Sequence, residues 1–425
     1  MSKPQVLKMK RAISSQCSSN SKKLKRIEDL DIYTKPNPAY YPNPLIPRQA
    51  NEFNNNKRVR PIEKLNGGID LQPNVSDNTS TFIHWFRADL RVQDNTAFYQ
   101  AVKQFQACKK ANSAAKFIGI FTICEHDWRA HLDSGWKIKF LTNAIDQLKQ
   151  KLKQLNVPLV VKQYRPEESQ KSKLSNSPEF AKWLKTFCLE LSGNEPLLLT
   201  ANAQYETDEL YRDIKVLEST DETFQFEVFH DQCVIRPGEL TTGKGSQYTV
   251  FTPWYKKWCQ TLYANQQSKE DIVEIKSIME DEKLNDDFPD CESENYTLPE
   301  EFSSYIPVDD IDAHLPPATE AAAMTRLNEF IETGGLDNYN GDKDQLQLEG
   351  TSLLSCYVTS GLISTRSILD VCFKRNNHKL LHDDIKQNNS IETFIKEVAW
   401  RDFYKHVMCQ WPYISMDVPF RFEMA

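Results

Sequence analysis

Between Thr81 and Ile235 short apolar runs alternate with stretches of helical periodicity, and this alternation restricts the fold more than any other feature of the chain. Phe82-Ile-His-Trp-Phe86, Phe117-Ile-Gly-Ile-Phe-Thr-Ile123, Val157-Pro-Leu-Val-Val161 and Leu197-Leu-Leu-Thr200 read as buried strands, with a fifth expected within Phe224–Ile235. Between them 94–113 and 178–191 suit helices. Leu141, Ile145, Leu148, Leu152 and Leu155 recur at steps of four and three, which puts them on one helical face. Parallel neighbours in a sheet need a crossover, and a helix supplies it. The pattern therefore predicts an α/β domain with a doubly wound, mainly parallel sheet, placed at 79–240.

The flanks read differently. From Ala318 helical patterns dominate, in Glu320–Ile331, Ser364–Phe373 and Ile391–Cys409, so 317–425 is read as all-α. Residues 241–316 form a connector, acidic in its later part, where Glu280-Asp-Glu282, Asp286-Asp287, Glu300-Glu301 and Asp309-Asp310 occur. Residues 1–26 contain no Asp or Glu, and 34–78 are rich in proline and asparagine. Such composition buries too little apolar surface to fold alone, so 1–78 is expected to be a mostly disordered, basic and Pro-rich extension. Lys22-Lys-Leu-Lys-Arg26 resembles a nuclear import patch, and the acid-poor, Ser-rich start also suits a mitochondrial presequence; the nuclear address is the preferred reading.

The 425 residues and 40% hydrophobic content suffice for two or three cored domains. No apolar run is long enough to span a bilayer, and no membrane partner is expected. The ten cysteines include no Cys-x-x-Cys pair, so no metal site or disulfide framework is expected. A net charge of −7 does not advertise nucleic-acid binding, but acid gathered in a connector leaves room for a basic surface elsewhere.

Five strings carry chemistry. Trp85-Phe-Arg-Ala-Asp-Leu-Arg-Val-Gln-Asp-Asn95 leaves the first strand as a loop whose charges can pair, Arg87 or Arg91 with Asp89 or Asp94. Phe251-Thr-Pro-Trp-Tyr-Lys-Lys-Trp258 reads as a helix start, with Thr252 as N-cap and Pro253 at the first position. Tyr339-Asn-Gly-Asp-Lys343 precedes Glu349-Gly-Thr-Ser-Leu-Leu-Ser355, where the hydroxyls of Thr351, Ser352 and Ser355 at a helix start suit an anionic group; from the Thr-Ser pair alone an ordinary capped helix after Gly350 is the better account. In Phe394–His406 a helix places Glu397 beside Trp400 and Arg401, so carboxyl, indole and cation share a face that can recognise a flat, phosphate-bearing ligand. Read alone, that trio is an i,i+4 ion pair beside a core tryptophan. Asn202–Glu209 is a loop after the fourth strand, ending in Asp208 and Glu209.

Together these strings resemble the DNA photolyase/cryptochrome family, nearest to the class I cyclobutane pyrimidine dimer photolyases of fungal type, from about Thr81 onward. The resemblance implies an antenna domain of the α/β kind followed by an all-α FAD-binding domain. It implies a lyase that splits pyrimidine dimers in DNA by light, through reduced FAD, as a monomer. Carried over residue by residue, Tyr339, Thr351, Ser352, Leu353, Leu354, Ser355 and Phe394 contact FAD. Glu397 and Trp400 are catalytic, hydrogen-bonding and stacking against the extruded dimer, and Lys343, Glu397, Trp400, Arg401, Tyr404 and Lys405 face DNA. Asp208 and Glu209 contact an antenna chromophore, a folate (methenyltetrahydrofolate).

The match departs at Leu353, where the family often has Arg, at Cys356, where Pro is frequent, and at Lys343, where an Arg can contact phosphate. The family pattern continues beyond Trp411-Pro-Tyr413 and Pro419-Phe-Arg-Phe422, so 317–425 is read as the N-terminal portion of the FAD-binding domain. This chain alone is expected to hold FAD weakly or not at all and not to split dimers. Two further readings stand beside repair: a cryptochrome-like blue-light receptor, against which the Glu397–Trp400 pair argues, and a truncated, inactive relic keeping only the α/β domain.

Overall fold

The computed structural model describes residues 45–422 except 72–75, 77, 132, 171, 279–282, 298, 300–301, 303–313, 346–349, 382–388 and 417. The expected import patch at Lys22–Arg26 lies outside them.

Five parallel strands, β1 (Thr81–Phe86), β2 (Lys116–Ile123), β3 (Leu159–Gln163), β4 (Leu197–Asn202) and β5 (Phe224–Phe229), form one sheet in the order β3-β2-β1-β4-β5. Every residue of β1 and β4 is buried, because helices cover both faces. Phe82 and Phe86 point into one core layer and Ile83 and Trp85 into the other, as strand alternation requires. Gly119 of β2 is fixed by packing: a Cβ there would approach Phe86, Leu152 and Leu159 to 3.2–3.3 Å.

Before β1 come α1 (Pro47–Asn54) and α2 (Pro61–Asp70); within the α/β part follow α3 (Thr96–Lys109), α4 (Glu125–Ala130), α5 (Gly135–Gln154), α6 (Pro178–Ser192) and α7 (Thr207–Leu217). Local chemistry sets their starts. Asn95, Ser134 and Ser177 accept backbone N–H bonds from Phe98, Lys137 and Phe180. Gly193, in the left-handed region at φ 74°, ends α6.

The helical part comprises α8 (Phe251–Asn265), α9 (Glu320–Glu332), α10 (Gly335–Asp342), α11 (Ser355–Ser360), α12 (Thr365–Arg375) and α13 (Ser390–Gln410), then a 3₁₀ turn at Pro412–Ser415. It shares one apolar core with the sheet, running from Phe82 through Trp254 to Phe403. Part of the connector lies along β3, where the Glu294 N–H donates to Val161 O at 2.9 Å.

Three expectations are corrected. Residues 45–71 are not a disordered stretch: α1 and α2 bury Ala50, Phe53, Ile62 and Leu65 against the folded body. The Arg87 and Arg91 carboxylate partners lie outside their own loop. Arg87 pairs with Asp213 of α7, Arg91 with Asp231, and Arg366 of α12 donates to Asp94 (3.1 Å) and Asp231 (2.7 Å). A charged loop enclosed between two layers needs partners that reach in from both. Finally, α8 begins at Phe251 after Val250, so Thr252 is not its N-cap; a proline this close to a helix start removes only an N–H with no intrahelical acceptor.

Candidate functional site

Between β1 and β4 the winding of the sheet reverses, and doubly wound sheets open a crevice at the carboxyl ends of such strands. A cavity of about 1010 Å³ lies there. Its floor comes from the ends of β1 (Trp85, Arg87) and β2 (Thr122, Cys124), one wall from Glu206 and the first turn of α7, and its roof from α11 and from Arg401 and Lys405 of α13. Trp85 is the flat element. Its indole N–H donates to Thr122 Oγ1 at 3.0 Å, and the guanidinium carbons of Arg87 and Arg212 lie 4.6 and 5.0 Å from its ring.

The walls are charged and incompletely matched. Lys405 Nζ pairs with Glu206 at 2.6 Å. Burial acts to raise the Glu206 carboxyl, and the nearby ammonium outweighs it and holds it below the usual range. Glu209 lacks such a partner, so burial, reinforced by the Glu206 charge, pushes it up to about 7. Asp208 accepts from Asn176 Nδ2 at 3.2 Å and lies 3.5 Å from His131. Among the described residues no donor reaches the enclosed acceptors Glu206 Oε2, Glu209 Oε2 and Gln232 Oε1. The cavity therefore suits a ligand with N–H groups. Asp208 and Glu209 stand here as the sequence suggested. Glu206, Gln232 and Arg212 are additional; the place of Glu206 just after β4, at the reversal of winding, was a signal for it, whereas Gln232 follows β5 and Arg212 lies within α7.

The outer face of α13 forms a second site. Glu397 is exposed and lies 3.4 Å from Lys343 Nζ. Trp400 stacks on Phe251 with ring centroids 3.6 Å apart and planes 10° apart. Tyr404, 61% exposed, lies on the same aromatic ladder at 5.4 Å from Trp400. The expected DNA-facing set divides: Lys343, Glu397, Trp400 and Tyr404 gather on this face, whereas Arg401 and Lys405 turn to the cavity, toward Gln232 O and Glu206. Helical spacing placed the α13 members on neighbouring faces, and tertiary packing brought Lys343 to them and decided which way each turned.

The residues expected around FAD also divide. Phe394 and Tyr339 are buried and pack edge-on at 5.1 Å, with Phe330 completing the cluster. Thr351 and Ser355 are exposed, Ser352 is half-buried, and α11 starts without a side-chain cap. Gly350 passes so close to Asp342 that a Cβ would stand 2.3 Å from its carbonyl oxygen. Leu353 takes a left-handed backbone (φ 53°) with its side chain exposed, and Leu354 is buried. Arg326 Nε holds Ser352 O at 2.9 Å. Hydroxyls and an uncapped helix start on a pinned turn suit the anionic end of a dinucleotide.

A family model described as DNA photolyase matches residues 82–272. The mitochondrial deoxyribodipyrimidine photo-lyase of Saccharomyces cerevisiae is 42% identical over 420 residues, covering 98% of this chain and 73% of that protein. The deoxyribodipyrimidine photo-lyase of Neurospora crassa is 29% identical, covering 90% of this chain and 60% of its own length. Among solved structures, a bacterial class III photolyase from Agrobacterium tumefaciens has the same fold over 80% of this chain and 61% of that one, at TM-score 0.56 and 21% identity. The chain thus spans less than two thirds of the length of the Neurospora and Agrobacterium proteins. By its similarity to the yeast enzyme along nearly its whole length, the chain belongs to the DNA photolyase family.

Proposed function

We propose that this protein acts in light-dependent DNA repair, in the splitting of cyclobutane pyrimidine dimers. The observation that carries the reading is the 42% identity to a deoxyribodipyrimidine photo-lyase over 98% of the chain, which includes the α13 string. A dimer inside a duplex is out of reach, so it must be extruded, and damage that already weakens stacking lowers that cost. The α13 face suits the extruded lesion. The Phe251–Trp400–Tyr404 ladder offers it a flat apolar wall, Glu397 offers a carboxyl to its polar edge, and Lys343 keeps that carboxyl compensated and can meet a phosphate.

FAD, when bound, supplies light-driven electron transfer. Thr351, Ser352 and Ser355 with the first-turn N–H groups of α11 would hold its pyrophosphate, beside Leu353 and Leu354, and Tyr339 and Phe394 would pack near it. The cavity at the sheet would hold the antenna chromophore. A folate is favoured, because the amino and ring N–H groups of a pterin meet the unmatched acceptors of Glu206, Glu209 and Gln232. Arg401 and Lys405, on the roof, suit the carboxylates of a folate tail. Nuclear and mitochondrial destinations follow from the basic N-terminal segment, and a fluorescent fusion of the whole chain distinguishes them.

Disrupting the gene in its source cells tests the function without isolating any cofactor. After ultraviolet exposure, dimer removal under visible light should fall to the dark level. Unchanged light-dependent removal in the disrupted cells would overturn the reading.

A further inference from the structure

Part of the cavity lining comes from α7 and from the end of α13 with the 3₁₀ turn after it. These walls meet at Thr207 Oγ1 to Ser415 Oγ (2.6 Å), at Lys405 to Glu206 (2.6 Å), and where Cys409 and Met408 of α13 pack into the apolar core that holds Ile214 and Leu217 of α7. Residues 45–71 grip the same two walls from outside, and none of them lines the cavity. At one anchor Leu45 N–H donates to Met416 O at 3.1 Å, and Ala50 and Phe53 of α1 form a small apolar core with Tyr413, Val418 and Phe422. At the other, Ile62 and Leu65 of α2 join the α7 core beside Ile214 and Leu217, and Gly68 runs so close to Leu217 that a Cβ would stand 3.2 Å away.

Arg60 joins the anchors. Only 6% exposed, it donates from Nε to Gln410 O, the last residue of α13, at 2.9 Å, from Nη2 to Phe53 O and Asn56 Oδ1 at 3.0 Å, and from Nη1 to Glu63 Oε1 at 2.8 Å. A guanidinium can hold these acceptors together because its donors are fixed in one plane. The short stretch 55–60 between α1 and α2 limits how far the anchors can separate.

We propose that residues 45–71 are a strap that sets the opening of the cavity between α7 and the end of α13, with Arg60 as its positioning residue. The strap acts whatever ligand fills the cavity. A strap that served only overall stability would not affect the cavity selectively.

Cysteines already in the protein read this out. Cys124 and Cys356 line the cavity, whereas Cys188 and Cys372 are buried in cores away from it. Alkylation of the full chain, followed at each cysteine by mass spectrometry, should be roughly fivefold to thirtyfold faster at Cys124 and Cys356 in Arg60→Ala, with Cys188 and Cys372 unchanged. Phe53→Ala, which loosens the apolar half of the anchor, should do the same, and serves if Arg60→Ala does not fold. Hydrogen exchange at 47–54 reports release of the strap in each variant. Released strap amides with unchanged Cys124 and Cys356 rates would overturn the proposal. So would a parallel rise at all four cysteines, which marks general loosening of the fold.

Discussion

Asp402 sits fully buried on α13, its Oδ2 accepting the Val234 N–H at 2.7 Å and its Oδ1 4.0 Å from Arg401 Nη1. Burial, only partly countered by Arg401, pushes its carboxyl up to about 6. A carboxyl whose folded pKa lies above its unfolded value of about 3.9 contributes stability below the unfolded pKa. That contribution is lost as pH rises through about 6. Asp402→Asn keeps an acceptor for Val234 and removes the ionisation, so it should gain roughly 1–3 kcal/mol relative to wild type between pH 5 and pH 8. Denaturant melts at the two pH values check this; a constant difference would show that Asp402 stays charged throughout. On the outer face Trp400→Ala should weaken binding to dimer-containing DNA by about tenfold or more, since a base–aromatic stack is worth about 1–3 kcal/mol. At this scale the sequence was a partial guide. Glu397, Trp400 and Tyr404 were legible from i,i+3 and i,i+4 spacing, but the turn of Arg401 and Lys405 into the cavity depends on Gln232 and Glu206, far away in sequence.

The strands and long helices could be read because their signals are local: continuous apolar runs for β1, β2 and β4, one leucine stripe for α5, and Asn or Ser caps for α3, α5 and α6. The helices α1 and α2 could not. They lie in a stretch read from its proline and asparagine content as disordered, yet Pro47 and Pro61 each stand at the first turn of a helix, where the missing N–H costs nothing. Their stability comes from surfaces on α7 and 411–422 that composition does not reveal. The charged loop after β1 was also legible only in part: its charges pair, but across elements. Arg366 of α12, 6% exposed, balances both Asp94 and Asp231, and Asp231 is held far below the usual carboxylate range, first against burial and then by Arg91 and Arg366. Arg366→Ala leaves two buried carboxylates short of compensation and should cost about 3–5 kcal/mol in a urea titration. A loss below about 1 kcal/mol would mean that Arg91 alone suffices.

Across the whole molecule a single core runs from the sheet into the helical part, and two sites lie on either side of α13: the cavity at the sheet on its inner side and the aromatic ladder on its outer side. One helix therefore fixes the separation of both. The central claim is that the outer side recognises a pyrimidine dimer. The most direct test is to titrate the full chain, at fixed salt, against one duplex with a single thymine dimer and against the same duplex undamaged. The account predicts at least about tenfold tighter binding to the dimer, about 1.4 kcal/mol, and a ratio near one for Trp400→Ala with undamaged DNA bound as before. Equal affinity of the wild-type chain for the two duplexes would contradict it.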